Sequence, residues 1–205
     1  MMSGIWSAPD NQKVSMRKIR YAVARSLDGY IAGPQGEADW IIMDPDIDFR
    51  TIFEQFDTFL MGRRTFEPMA GAGRGHTPDL KTFVFSQTLR QQDYPDVTIV
   101  ADRAEEIVAA LRAEEGKDIW LFGGGSLFRS LLEVGLVDTV EVAIMPILLG
   151  GGMPLLPAPT RQRNLKLIGQ KIYKTGIVSL EYSVEQTTPG QSKERVIARK
   201  SRRSR

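Results

Sequence analysis

The 205-residue chain contains no cysteine and a single histidine, His76. Without cysteine there are no disulfides, no thiolate nucleophile and no thiolate metal ligands. One histidine leaves no realistic Ser-His-Asp triad and no histidine-rich metal centre. No metal is expected, and a carboxylate-only Mg²⁺ site is the one class that composition leaves open. No apolar run approaches the roughly 18 residues that a transmembrane helix needs. The N-terminus has neither the basic start nor the apolar stretch of a secretory signal. The expectation is a soluble, cytoplasmic protein with no membrane partner. Hydrophobic residues make up 42% of the chain, enough for a true core, and the length fits one domain with tails.

A net charge of +2 conceals an uneven distribution. Residues 191–205 hold seven of the 27 Lys and Arg but one of the 25 Asp and Glu, which leaves the rest of the chain at −4. This stretch has no aromatic residues and few apolar ones, so a solvated, disordered tail over 187–205 is favoured over a nucleic-acid tether. Residues 1–15 are polar and aperiodic and read as a flexible extension. The domain is expected over 16–186.

The stretch Asp118-Ile-Trp-Leu-Phe-Gly-Gly-Gly-Ser-Leu-Phe organises the chain. Ile119–Phe122 is an apolar run of strand length, three glycines follow, and Leu127, Phe128, Leu131 and Leu132 share a helical face. Strand, glycine turn and helix is the geometry that brings a phosphate to free helix N–H groups. Ser126 is placed to cap that helix or to add a hydroxyl; a plain tight turn is the competing reading. Strands are also expected over 18–24, 59–61, 81–86, 97–100 and 139–144, with a closing antiparallel pair over 165–173 and 177–184. Phe49, Ile52, Phe53 and Phe56 share one face of a helix of about two turns, led by Asp44, Asp46 and Asp48. Residues 67–80, rich in Gly and Pro, read as a loop. Asp102 opens a helix in capping-box fashion with Glu105. Strands alternate with helices to about residue 138 and strands finish the chain, an α/β sheet that is mostly parallel with an antiparallel edge. In such a sheet ligands bind outside the carboxyl ends of the strands. Gly62-Arg63-Arg64-Thr65, Ser86 and Gly123-Gly124-Gly125 all fall there, and the two guanidiniums suit a phosphate.

Three anchors, taken in order, resemble the dihydrofolate reductase superfamily: Ala24 with Leu27-Asp-Gly-Tyr-Ile-Ala32, Met61-Gly-Arg-Arg-Thr-Phe66, and Phe122-Gly-Gly-Gly-Ser126. Ser26-Leu-Asp-Gly-Tyr-Ile-Ala32, followed by Asp39-Trp40, and Pro146-Ile-Leu-Leu-Gly-Gly-Gly-Met-Pro-Leu155 resemble one branch of it, the reductase domain of bifunctional riboflavin-biosynthesis deaminase-reductases. The resemblance covers roughly 17–185 and implies a central sheet of about eight strands flanked by helices, NADPH as cofactor and a homodimer. It implies that Gly62, Arg63, Arg64 and Thr65 hold the adenosine phosphates and pyrophosphate, with Ser86 beside the adenosine. Phe122, Gly123, Gly124, Gly125, Ser126 and Leu127 would meet the pyrophosphate and nicotinamide side, with a cis bond at Gly123–Gly124. Ala24 and Ile31 would line the nicotinamide pocket.

The activity implied is reduction of a small-molecule substrate of pyrimidine or pterin type, foremost 5-amino-6-(5-phosphoribosylamino)uracil. Dihydrofolate reduction and NADPH binding without turnover are the alternatives. The helix before Met61-Gly-Arg carries an acid in dihydrofolate reductases. Asp46 matches it by ungapped counting, Asp48 is next, and Asp39 is a third candidate. Each has a plainer role as a helix-start or turn carboxylate. These 205 residues hold neither the deaminase domain nor its zinc-binding Cys and His, so no pyrimidine deamination is expected of them. Arg161 and Arg163 are candidates for a substrate phosphate, or else surface residues.

Overall fold

A computed structural model describes residues 16–77 and 79–185. The extension expected over 1–15 and the basic tail lie outside the described residues. Eight strands, β1 (Ile19–Ser26), β3 (Phe56–Gly62), β4 (Lys81–Phe85), β5 (Thr98–Val100), β6 (Asp118–Gly123), β7 (Thr139–Met145), β9 (Leu165–Ile172) and β10 (Val178–Val184), form one sheet. Their order across it is β5-β4-β3-β6-β1-β7-β10-β9. Every pair from β5 to β7 is parallel, and β10 pairs antiparallel with β7 and with β9. The mostly parallel sheet with an antiparallel C-terminal edge is therefore present as the α/β reading required. Two further short strands, β2 (Tyr30–Ala32) and β8 (Met153–Pro154), pair separately.

Helices cover both faces, as the near-continuous apolar character of the central strands demands. On one face Val108 and Leu111 of α3 (Ala104–Ala113) and Leu127, Phe128, Leu131 and Leu132 of α4 (Gly125–Glu133) pack on Ile19, Tyr21, Leu60, Ile119 and Leu121. The Tyr21 and Phe128 rings stack at 3.8 Å. On the other face α1 (Phe49–Phe53) and α2 (Arg63–Gly71) pack Ile52, Phe53, Phe66 and Met69 on Phe59, Met61, Val84 and Trp120.

Local readings differ from the structure in four places. Helix α1 is shorter than two turns, because Phe56 already belongs to β3. There its backbone pairs with Asp118, its ring packs 4.8 Å from Trp120, and the Arg20 guanidinium covers it at 4.8 Å. Residues 63–71 are helical despite Pro68, because burial of Phe66 against Tyr94 and of Met69 and Ala70 outweighs the poor propensity of the segment. Helix α3 begins after Arg103, which adopts a left-handed φ of 53°, so Asp102 does not cap it. The cap of α4 is Gly124, and Ser126 lies inside the first turn.

The two ends of the sheet differ in chemistry. At the amino ends, polar clamps close the structure. Buried Arg17 donates to Asp57, to Thr58 Oγ1 (2.8 Å) and to the Leu111 carbonyl (3.2 Å). Asp138 accepts from the Ile19 amide (2.8 Å) and from Arg112 (2.6 Å). The carboxyl ends open into a cleft.

Candidate active-site cleft

The cleft has a volume of about 2120 Å³. That is roughly twice the upper end, about 1,000 Å³, of an ordinary small-molecule pocket, so it has room for two ligands end to end. It takes in the carboxyl ends of β1, β3, β4, β5, β6 and β7, through Ala24, Gly62, Phe85, Val100, Gly123 and Met145.

One half is cationic and built from helix starts. Both α2 and α4 begin at the cleft with glycine caps, Gly62 and Gly124, and neither cap supplies a side-chain acceptor to the free N–H groups. The two starts abut: Met61 is in register with Gly123, and a Cβ on Gly123 would stand 3.1 Å from Thr65 Oγ1. The Gly123–Gly124 peptide is cis. Arg63 pairs with Glu67 at 2.9 Å, whereas exposed Arg64 has no hydrogen bond or ion pair among the described residues. Ser86 spends its hydroxyl on its own turn, accepting from the amides of Thr88 and Leu89 at 3.2 and 3.1 Å. Ala24, Ile31, Phe122, Gly125, Ser126 and Leu127 also line the cleft. Open N–H groups, an unpaired guanidinium and glycines where a side chain would intrude form a cradle that fits a polyphosphate nucleotide.

The other half lies over the face of β1, β7, β10 and β9 beneath α1. Small side chains, Ala22, Ala24, Ala143 and Ser179, make its floor, and Phe49, Ile52 and Phe53 face it. The joint between the halves is built from the two stretches that carry the branch resemblance. Asp28 accepts from Ser26 Oγ (2.6 Å), the Gly150 amide (2.7 Å) and the Leu149 amide (3.2 Å). Foremost through the Ser26 hydroxyl, these bonds hold its carboxyl below the usual range. Beyond it, β2 and β8 pair Ala32 with Met153.

The three acids considered as proton donors are placed differently. Asp39 lines the cleft. Asp48 caps α1, accepting from Thr51 Oγ1 (2.7 Å) and the Thr51 amide (3.1 Å), which lower its pKa. Asp46 is exposed and off the lining, with its carbonyl accepting from Lys171 Nζ at 3.2 Å. Buried Asp44 anchors this loop to the β9–β10 turn. It accepts from the Asp46 amide (2.9 Å), Thr175 Oγ1 (2.8 Å) and the Thr175 amide (3.1 Å), and its pKa is lowered, the Asp46 amide first among the causes. Arg161 and Arg163 are not on the lining, and Arg163 donates to the Glu133 carbonyl at the end of α4. Residues that sequence reasoning missed are Arg20, Arg103, Glu141, Lys171 and Glu181, all on the cleft. The strand-end rule applied to β5 points to Arg103. Arg20, Glu141 and Glu181 were legible only as charges inside strands, whose common face depends on register.

With this geometry in place, the comparisons with known proteins are specific. The family described as the RibD C-terminal domain matches residues 17–179. The uncharacterized protein YyaP of Bacillus subtilis (strain 168) is 35% identical over 181 residues, 82% of this chain and 96% of that protein. A solved structure from Shewanella sp. PV-4, named for riboflavin biosynthesis, superposes with a TM-score of 0.69 at 28% identity, over 83% of this chain and all of that one. Dihydrofolate reductase from Enterococcus faecalis, solved with NADP(H) and RAB-propyl, superposes with a TM-score of 0.60 at 19% identity, over 82% and 97% of the two chains. At that identity the likeness is one of fold. By the extent of the family match, which spans most of the chain, this chain belongs to the RibD C-terminal domain family, and its fold is like that of dihydrofolate reductase.

Proposed function

We propose that this protein is an NADPH-dependent reductase acting on a pyrimidine- or pterin-type substrate, foremost a 5-amino-6-(5-phosphoribosylamino)uracil-like compound. The observation that carries this reading is the pair of uncapped helix starts meeting at Thr65 and Gly123, with unpaired Arg64 beside them. The α2 and α4 starts would hold the pyrophosphate, Arg64 and Arg103 the adenosine-side phosphate, and Ala24 and Ile31 the nicotinamide. When bound, the dihydronicotinamide supplies a hydride, and with it both electrons, to a C=N or ribosyl C=O carbon. The chain then has to orient the acceptor, exclude water and deliver one proton. Asp39 is the one of the three candidate acids that faces the cleft. Lys171 is a cation on the substrate half without a carboxylate partner among the described residues, a better-placed phosphate partner than Arg161 or Arg163. A homodimer and a cytoplasmic setting belong to the same reading.

The test is titration of the purified protein with NADPH and NADH, followed by the fluorescence of Trp120, which lines the cleft. Selective NADPH binding that Arg64→Ala weakens about 10- to 100-fold, with NADH unaffected, is the expected result. Failure to bind either nucleotide would overturn the proposal. Binding without turnover is a second reading, favoured by the positions of Asp46 and Asp48 off the lining. It predicts NADPH binding but no nicotinamide oxidation with any pyrimidine or pterin offered.

A further inference from the structure

Glu141 and Glu181 stand directly opposite each other on β7 and β10, and both line the cleft. Like charges so placed destabilise a sheet unless something separates their roles. For Glu141 the role is filled. Arg20 grips it with two prongs, Nε to Oε1 at 2.6 Å and Nη2 to Oε2 at 2.8 Å, and Thr139 Oγ1 adds a third contact at 2.8 Å. Glu181 is half-buried, yet it has no hydrogen bond or ion pair among the described residues. It lies low over Gly169, where a Cβ would come within 3.0 Å of its Oε2. Arg20 feels its charge, but no N–H or O–H group among the described residues donates to its oxygens, so they are open to incoming donors.

The surroundings define what those donors belong to. Register places Ala22 beside Glu141, and Ala24, Ala143 and Ser179 in the next row toward the nicotinamide end. This strip of small side chains is flat, and the α1 phenylalanines face it, so the space is a slot suited to a planar ring. From β1 to β10 is two inter-strand steps, about 10 Å, the span of a substituted single ring and its hydrogen bonds. We infer that Glu181 accepts hydrogen bonds from the N–H edge of an aminated heterocycle lying on the Ala22–Ala24–Ala143–Ser179 floor. It is thus the residue that orients the substrate ring toward the nicotinamide end of the cleft. The inference rests on the reductase reading of this cleft, and it assigns the recognition of amino and ring N–H groups to one carboxylate.

The experiment uses 5,6-diaminouracil as probe, titrated by calorimetry into the full-length protein saturated with NADP⁺. The wild type is expected to bind the ring, and Glu181→Gln to weaken it about 10- to 100-fold, the value of hydrogen bonds to a charged acceptor. NADP⁺ affinity should stay unchanged, and Glu181→Asp should recover part of the loss. Ser179→Leu, which fills the floor without touching the carboxylate, is expected to expel the ring as well. Equal ring affinity in wild type and Glu181→Gln would overturn the inference. So would a wild type that binds NADP⁺ but not the ring, and the cofactor assignment would survive that result. Ring binding that depends on Glu181 in a protein that binds no nucleotide would uphold the inference and sink the reductase reading instead.

Discussion

At the scale of single residues, carboxylates do most of the joining. Asp28 ties the β1 turn to residues 149 and 150, Asp44 ties the approach to α1 to Thr175, and Asp48 caps α1. All three have lowered pKa values because N–H and O–H donors stabilise the charged form, in the order Ser26 hydroxyl, Asp46 amide and Thr51 hydroxyl as the leading causes. The folded state therefore holds these protons more weakly than the unfolded chain. Their stabilisation is complete above the unfolded aspartate pKa, about 3.9, and is lost as pH falls through the lower folded values. Asp138 runs the other way, since burial raises its pKa and protonation favours the fold. Thermal melts should show a midpoint that is flat near neutrality and declines below about pH 4. The double variant Asp28→Asn with Asp44→Asn should melt lower at pH 7 and decline less steeply in acid. An unchanged acid slope would show that these two groups do not govern it.

At the scale of elements, the glycine runs serve different ends. Gly123 and Gly124 join β6 to α4 and keep the cradle open. Gly125 is a packing position: a Cβ there would come within 2.8 Å of the Pro154 carbonyl oxygen and 2.9 Å of Pro157 Cδ. Gly152 has a φ of 144°, and a Cβ on it would overlap the Ala32 carbonyl where β2 meets β8. Gly151 faces open space. Gly125→Ala and Gly152→Ala should each destabilise by about 1–3 kcal/mol or more, and Gly151→Ala by less than about 0.5 kcal/mol, in denaturant unfolding. Equal effects at all three positions would refute the distinction. The resemblance picked out Gly150-Gly-Gly152 as a motif, but its separate uses emerge only when β8 is laid against β2.

At the scale of the whole molecule, the two faces of the C-terminal edge have different characters. Glu181, Gly169 and Lys171 face the cleft side. Leu165 and Leu167 pair with Val184 and Tyr182 on the opposite side, and Ile172 pairs with Val178 there. Leu165, Leu167 and Ile172 are 43%, 46% and 77% exposed. An edge strand with an apolar exposed face invites a partner, which supports the homodimer proposal and leaves the cleft face free. Light scattering on the wild type should give the mass of a dimer, and Leu167→Lys with Ile172→Asp should give a monomer that still binds NADPH. A monomeric wild type would remove the dimer from the reading.

Much of this was legible in the chain because the signals are local. Apolar runs of strand length, a 3.6-residue stripe on α4 and glycines at strand ends determined the alternation of elements and the mostly parallel sheet. The order of the Met61-Gly-Arg-Arg-Thr and Phe122-Gly-Gly-Gly-Ser stretches pointed to the superfamily. Propensity misplaced α2, since Pro68 and nearby glycines outweigh in sequence what Phe66 recovers by burial, and spacing alone put Phe56 on a helix rather than in β3. Tertiary structure alone decided which charges share a site. Glu181 reaches the cleft because β10 runs antiparallel to β7 in a register that sets it opposite Glu141. Arg20, on β1, feels the Glu181 charge but gives its hydrogen bonds to Glu141 and Gln55. Asp48 is committed to its cap by the short geometry of α1. Register and burial are relations between segments far apart in the chain, and no window of sequence contains them.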